Sequence, residues 1–433
     1  MIAQFKIKNF RSILDMTLDF RFTEGKAPNG YKKWDTIPFL ETGTETRLVP
    51  CLAIFGANAS GKTNILTAMA IFRAAVAHKD APVTAFYNPN KLHDGRETTV
   101  FELTALLDGH TYAYQLEYNH AEIRQESLTK DAKSLYSVSN KNGLFAFEPR
   151  AEGYSPERLQ AILDVECSDG KGHQTVCFLK RAAQNYPGLS ADLKRMFDYI
   201  DKGIVVLQNN EIPLPLAVDM LGTLHSVDQT AALAEIVSII RKLDFDVQSI
   251  AMKSRAFERT KTLSLQADGR NPVIRINPAS KQVEIVDIQS SHNNIHGQPI
   301  TFDFREESAG TQRIAGLVGM MLTCLRGGNT LFVDELENSL HPLLVKELIR
   351  LFKDKRYNKT GAQIVFTTHN TDILDNSILR LGEVAIVRKT VPTGTLVRRL
   401  VDFKEDGLDV RNVTNFRKQY LDGFYSGIPH PAI

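Results

Sequence analysis

An α/β fold with a largely parallel core is the class this sequence predicts, on three observations. An apolar run, Leu52-Ala53-Ile54-Phe55, leads into Gly56-Ala57-Asn58-Ala59-Ser60-Gly61-Lys62-Thr63-Asn64, and Ile65, Leu66, Met69, Phe72 and Val76 then recur at helical spacing. A second apolar run, Thr330–Val333, ends in Asp334-Glu335, and a third, Gln363–Thr367, ends in Thr368-His369. Strand, G-x-x-x-x-G-K-T and helix together form the context of a phosphate-binding P-loop. Gly56 and Gly61 let the backbone turn its N–H groups toward an anion. The helix start, Lys62 and the Thr63 hydroxyl add positive potential and a Mg²⁺ ligand.

Taken in order, residues 2–20 alternate (Ile2, Phe5, Ile7, Phe10, Ile13, Leu18) and predict two antiparallel strands. Residues 23–46 read as a surface loop, with Trp34 pinning it. Thr98–Leu107 and His110–Tyr118 flank Asp108-Gly109, a hairpin signature, and Ala121–Leu128 extends the meander. Hairpins are foreign to a parallel core, so an antiparallel β subdomain is expected at 81–150, beside the first part of the nucleotide domain at 1–80. Residues 151–300 predict a mixed, largely helical insertion, a lid or partner-binding region. Helices are expected at Pro156–Val165, Ser190–Ile200 and Asp228–Leu243, the last with Ser226-x-x-Gln229 as capping box, and strands at Val273–Ile276 and Val283–Ile288. Residues 301–433 return to the parallel pattern. Gly310–Leu325 reads as a helix ended by Gly327-Gly328, Asn329–Val333 as a strand and Pro342–Phe352 as a helix. Val384–Val387 reads as a last short strand.

Composition excludes several classes. The chain has 433 residues, 43% hydrophobic and 24% charged, which is ordinary for a globular protein of one large domain plus a second, or of one domain with a big insertion. Lys+Arg number 52 against 50 Asp+Glu, so net charge alone makes no case for nucleic acid and leaves a local basic patch as the only electrostatic route to DNA. No apolar run reaches membrane-spanning length, and the start of the chain lacks a signal-peptide core. Four scattered cysteines suggest no disulfide framework, and a cytoplasmic location is expected. Cys167-x5-His173-x3-Cys177 is too loose, and lacks a fourth ligand, for a zinc site. His292 and His296 read as solvated loop residues. Lys6, Lys8 and Arg11 alternate with aromatics, the pattern of a half-buried strand more than of a DNA-facing edge.

At the ends of parallel strands, acids and polar residues face ligand. Asp334 suits a Mg²⁺ site, Glu335 the polarising of a water, and His369 the sensing of a γ-phosphate. These motifs appear in the order Gly56–Thr63, Glu307-Ser308-Ala309-Gly310-Thr311-Gln312-Arg313, Asp334 to Pro342, then Thr367-Thr368-His369. The sequence thereby resembles the ABC-type ATPases of the RecF, SMC and OLD group. Asn9-Phe10-Arg11-Ser12 resembles their first strand-turn, and Tyr420 to Pro429 the tail of bacterial OLD-like AAA ATPases that act in phage defence. The resemblance covers roughly residues 1–80 and 300–433.

It implies an ABC-type head that binds ATP and Mg²⁺ and dimerises head to head. Each ATP would lie between one P-loop and the Ser308, Gly310 and Gln312 segment of the other copy. Glu335 would be the general base, Thr63 and Asp334 the metal groups, His369 and Lys62 the γ-phosphate contacts. Arg11 would touch phosphate or ribose, and Asn338 to His341 would lie at the dimer interface. The glutamine that usually completes the metal site has no clear place; Gln115 and Gln125 are candidates by elimination. Ser-Ala-Gly in place of Ser-Gly-Gly predicts slow hydrolysis. OLD nucleases carry a nuclease domain after these motifs, whereas residues 370–433 show no cluster of acids at strand ends. A sensor ATPase governing a separate effector is therefore expected. A DNA-clamping repair ATPase and a scaffold with little turnover are the alternatives.

Overall fold

Alternating apolar residues commit the N-terminus to strands, and the computed structural model shows how the sheet grows from them. It describes residues 1–23, 37, 39–77, 81–92, 97–141, 144–148, 156–167, 174–186, 188–208, 214–256, 273–277, 280, 282–403, 415–425 and 427. In chain order these form β1 (Ile2–Phe10), β2 (Ile13–Asp19), β3 (Cys51–Phe55), α1 (Lys62–Ala77), β4 (Thr99–Leu107), β5 (His110–Tyr118), β6 (Ile123–Lys130), β7 (Lys133–Lys141) and β8 (Leu144–Glu148). Next come α2 (Pro156–Glu166), α3 (Phe178–Asn185), α4 (Ala191–Lys202), β9 (Ile204–Leu207), α5 (Leu214–His225), α6 (Gln229–Lys242), β10 (Ser249–Ala256), β11 (Val273–Ile276), β12 (Val283–Asn293) and β13 (Pro299–Asp303). The chain closes with α7 (Ala309–Gly327), β14 (Thr330–Val333), α8 (Pro342–Lys353), β15 (Gln363–Thr368), β16 (Val384–Thr390), β17 (Gly394–Arg399) and α9 (Phe416–Leu421).

Two units emerge. The first comprises Met1–Gln208, Gly328–Leu336 and Phe352–Ile433. Its strands form one sheet, ordered β8-β7-β6-β5-β4-β1-β2-β17-β16-β3-β15-β14-β9. From β16 to β9 every pairing is parallel. From β17 outward to β8 every pairing is antiparallel. The hairpin turn at Asp108-Gly109 has φ of +50° and +77°, as a two-residue primed turn requires. The meander and the parallel strands share one core: Phe72 of α1 lies 5.5 Å from Phe5, 5.9 Å from Phe101 and 6.0 Å from Tyr114, centroid to centroid. Within it, buried Glu126 accepts from the backbone of Phe178 and Leu179 and from the hydroxyls of Tyr114 and Tyr136, tying β6 to the start of α3. Burial nonetheless pushes its carboxyl above the usual glutamate range.

The second unit comprises Asn209–Gly327 and Glu337–Leu351. Its antiparallel sheet has β12 at the centre, β10 on one side, and β11 and β13 sharing the other. α7 is buried along most of its length and packs against α5 and α6; a Cβ at Gly319 would lie 2.7 Å from that of Ala217. α6 is capped by Asp228, whose carboxylate accepts from Ala231 N, and not by Ser226, which sits at φ +54° in the turn before it. His292 likewise departs from the sequence expectation. It lies on β12, partly buried, with Nε2 2.6 Å from Glu307 Oε1. Trp34 lies outside the described residues. None of the described helices is long and apolar enough to cross a membrane.

Candidate nucleotide site

β3 is buried at all five positions, so the chain leaves it at the sheet edge and must reverse into α1 within six residues. Two glycines make that possible. A Cβ at Gly56 would lie 2.4 Å from the Val387 carbonyl oxygen, and one at Gly61 2.2 Å from Thr395 Oγ1. Gly61 also has φ +105°, closed to side-chain-bearing residues. The loop's outer side is thus packed against β16 and β17. Inside it, Lys62 Nζ donates to the carbonyls of Gly56 (2.7 Å) and Ala57 (2.9 Å), while Asn58, Ala59 and Thr63 are exposed. A glycine-bent backbone at a helix start, with an ammonium and an exposed hydroxyl, fits a phosphate group. Gly61→Ala is accordingly expected to abolish ATP binding in a calorimetric titration; affinity within about threefold of the native protein would refute the packing account.

The acids arrive by register. β14 pairs in parallel with β15, Val333 opposite Phe366, and β15 pairs with β3, Thr368 opposite Phe55. The P-loop, His369 and Asp334-Glu335 therefore leave three neighbouring strands at the same edge. Thr367 fixes the acids: its hydroxyl donates to Asp334 Oδ1 (2.5 Å) and accepts from Glu335 N (2.8 Å). Glu335 has φ +47°, a conformation that costs a non-glycine residue about 1–3 kcal/mol and is held by these contacts. His369 stands between the motifs, Nδ1 3.3 Å from Lys62 Nζ and Nε2 3.5 Å from Glu335 Oε1. Lys62 can only donate, so Nδ1 accepts and the ring proton belongs on Nε2, facing Glu335.

Arg11, at the β1–β2 turn, reaches Asn64 with Nη1 3.3 Å from Oδ1. Gln115 and Gln125 lie on β5 and β6 in the antiparallel meander. The glutamine that ends a strand beside β14 is Gln208, just past β9; its amide donates to Thr67 Oγ1 on α1 at 2.8 Å. Its strand, β9, is only four residues long and so stands out little in the sequence, where Ile-Val-Val-Leu before a polar residue is the one signal. Lys6 and Lys8 stand 3.9 Å from Glu102 and 3.7 Å from Asp15, so acids offset their charge.

In the second unit, Ser308 caps α7: Oγ accepts from Thr311 N at 3.1 Å. Gln312 turns back to donate to the Glu307 carbonyl at 2.9 Å, and Glu307 is held by Ser290 and His292. Gly310 lies against Ser339, whose carbonyl oxygen would be 3.1 Å from a Cβ there. Ser308, Gly310 and Gln312 thus share one helix start. Of the loose cysteine–histidine grouping, Cys167 and Cys177 are buried thiols whose pKa values burial raises, and His173 lies outside the described residues. No group of three metal-ligating side chains occurs among the described residues.

Comparison with known proteins gives three findings. A family model described as "AAA domain, putative AbiEii toxin, Type IV TA system" matches residues 198–375. No curated protein matches the chain. Among solved structures, an SMC head bound to the C-terminal winged-helix domain of ScpA is similar at 12% identity and TM-score 0.45, over 93% of this chain and 98% of that one. The SMC head domain from Thermotoga maritima is similar at 12% identity and TM-score 0.38, over 92% and 98%.

Proposed function

We propose that the chain is an ABC-type ATPase that binds ATP with Mg²⁺, closes head to head around it and hydrolyses it slowly. The observation that carries this reading is the meeting of P-loop, His369 and Asp334-Glu335 at one edge of three adjacent parallel strands, with His369 reaching both Lys62 and Glu335. The loop amides and Lys62 bind the phosphates. The Thr63 hydroxyl and Asp334 carboxylate are hard oxygen donors that suit Mg²⁺, and would hold it. When bound, the ion would supply positive charge to offset that of the phosphates. Glu335 takes the proton of the attacking water, and His369, a donor at Nε2, reports the γ-phosphate.

Dimerisation rests on the resemblance and on local chemistry. The Ser308-capped start of α7 offers free N–H groups to the γ-phosphate held by a second copy. Light scattering of the Glu335→Gln protein tests it. Its molar mass is expected to double with ATP and Mg²⁺, and to stay single when Ser308→Arg is added. A mass unchanged by ATP would contradict the sandwich.

We further propose that closure governs a separate effector in anti-phage defence. Support comes from the Tyr420 to Pro429 resemblance and from the toxin–antitoxin description of the family matched at residues 198–375. A protein that co-purifies with the Glu335→Gln form, and is released by Lys62→Ala, is the expected result; no ATP-dependent partner would count against it. The acid-paired Lys6 and Lys8 give the DNA-clamp alternative no support.

A further inference from the structure

A run of hydrogen bonds connects the P-loop to two elements outside it. Arg11 Nη1 lies 3.3 Å from Asn64 Oδ1, Asn64 Nδ2 2.7 Å from Ser12 Oγ, Ser12 Oγ 2.8 Å from Thr395 Oγ1, and Thr395 Oγ1 3.1 Å from the Ser60 carbonyl oxygen. Its direction is fixed by chemistry. A carbonyl only accepts, so the Thr395 hydroxyl donates to Ser60. That hydroxyl must then accept from Ser12, which in turn accepts from the Asn64 amide, whose oxygen faces the guanidinium. Every donor points toward Ser60.

Holding the Ser60 carbonyl has a consequence for the next residue. In a trans peptide, the C=O of one residue and the N–H of the next share a plane and point in opposite directions. Fixing Ser60 O on Thr395 therefore aims the Gly61 N–H away from β17, toward the side of the loop where phosphate would bind. Thr395 is fully buried, its backbone N–H donates to Ser12 O at 2.7 Å, and its hydroxyl fills the space beside Gly61 where a Cβ would fall.

We propose that Thr395, through Ser12, is a positioning residue that sets the orientation of the Ser60–Gly61 peptide for phosphate binding. The inference rests on the nucleotide-binding reading above. ATP and ADP dissociation constants, KM and kcat are measured for the native chain and for Thr395→Val, Thr395→Ser and Ser12→Ala. Thr395→Val keeps the shape and removes the hydroxyl. It should weaken ATP and ADP alike by about tenfold, the size of one lost hydrogen bond, and raise KM with kcat changed less than about twofold. Thr395→Ser should restore binding. Ser12→Ala leaves Thr395 in place without its donor and should weaken binding in the same sense; it decides the matter should Thr395→Val not fold. Native affinity in Thr395→Val or, where that protein does not fold, in Ser12→Ala would overturn the proposal. So would a loss that Thr395→Ser fails to rescue. A native chain that binds no nucleotide would instead overturn the function proposed above.

Discussion

Glu335→Gln is expected to lower ATP turnover by at least about a hundredfold while leaving ATP bound, because a carboxamide cannot take a proton from water. The substitution preserves size and the backbone bond from Glu335 N to Thr367 Oγ1, so the strained φ of +47° and the neighbouring Asp334 stay in place. The ring of His369, 3.5 Å from Glu335 Oε1, then meets a neutral oxygen in place of a carboxylate. Phosphate release at saturating ATP–Mg²⁺ measures the loss. Turnover within threefold of the native rate would remove Glu335 from the role of base, and would favour a chain that binds ATP as a scaffold.

Glu383→Ala is the substitution expected to cost most in stability. Lys353 and Glu383 are 1% and 0% exposed and meet at 2.5 Å; Lys353 also donates to the Ile378 carbonyl, and Glu383 accepts from Arg380 N at 2.8 Å. Removing one member leaves the other charge buried and unpaired, a loss of about 3–5 kcal/mol. Lys353→Met should cost as much for the same reason. The double replacement Lys353→Met with Glu383→Leu removes both charges and should recover most of the loss. Chemical denaturation followed by tryptophan-independent circular dichroism reads all three. A single-variant loss below 1 kcal/mol would show that water or relaxation compensates the stranded charge.

The parts of the fold legible in sequence are those written in neighbouring residues. The P-loop declares itself because strand, glycines, lysine and helix follow one another without a gap. The hairpin at Asp108-Gly109 is legible because both turn positions need positive φ, which Asp and Gly supply. Asp334-Glu335 is legible as a strand end because the β-prone run Thr330-Leu331-Phe332-Val333 precedes it. What the sequence concealed depends on distant partners. β9 is four residues long, and only its pairing with β14 makes it the edge of the parallel sheet and brings Gln208 to the same edge. Thr395 lies more than three hundred residues from Ser60, and nothing in Gly-Thr-Leu-Val announces a contact with the P-loop. His292 looked solvated because polar residues flank it, yet its strand carries it to Glu307. The cap of α6 is Asp228, two residues beyond Ser226, because Ser226 at φ +54° belongs to the preceding turn and lacks the extended conformation of an N-cap.

Calorimetric titration of ATP–Mg²⁺ into the native chain and into Lys62→Ala tests the central claim most directly. One ATP bound per chain, with affinity lost by at least about a hundredfold when the Lys62 charge is removed from the loop, is the result the site geometry predicts. No binding to the native chain, or equal binding to both proteins, would contradict it.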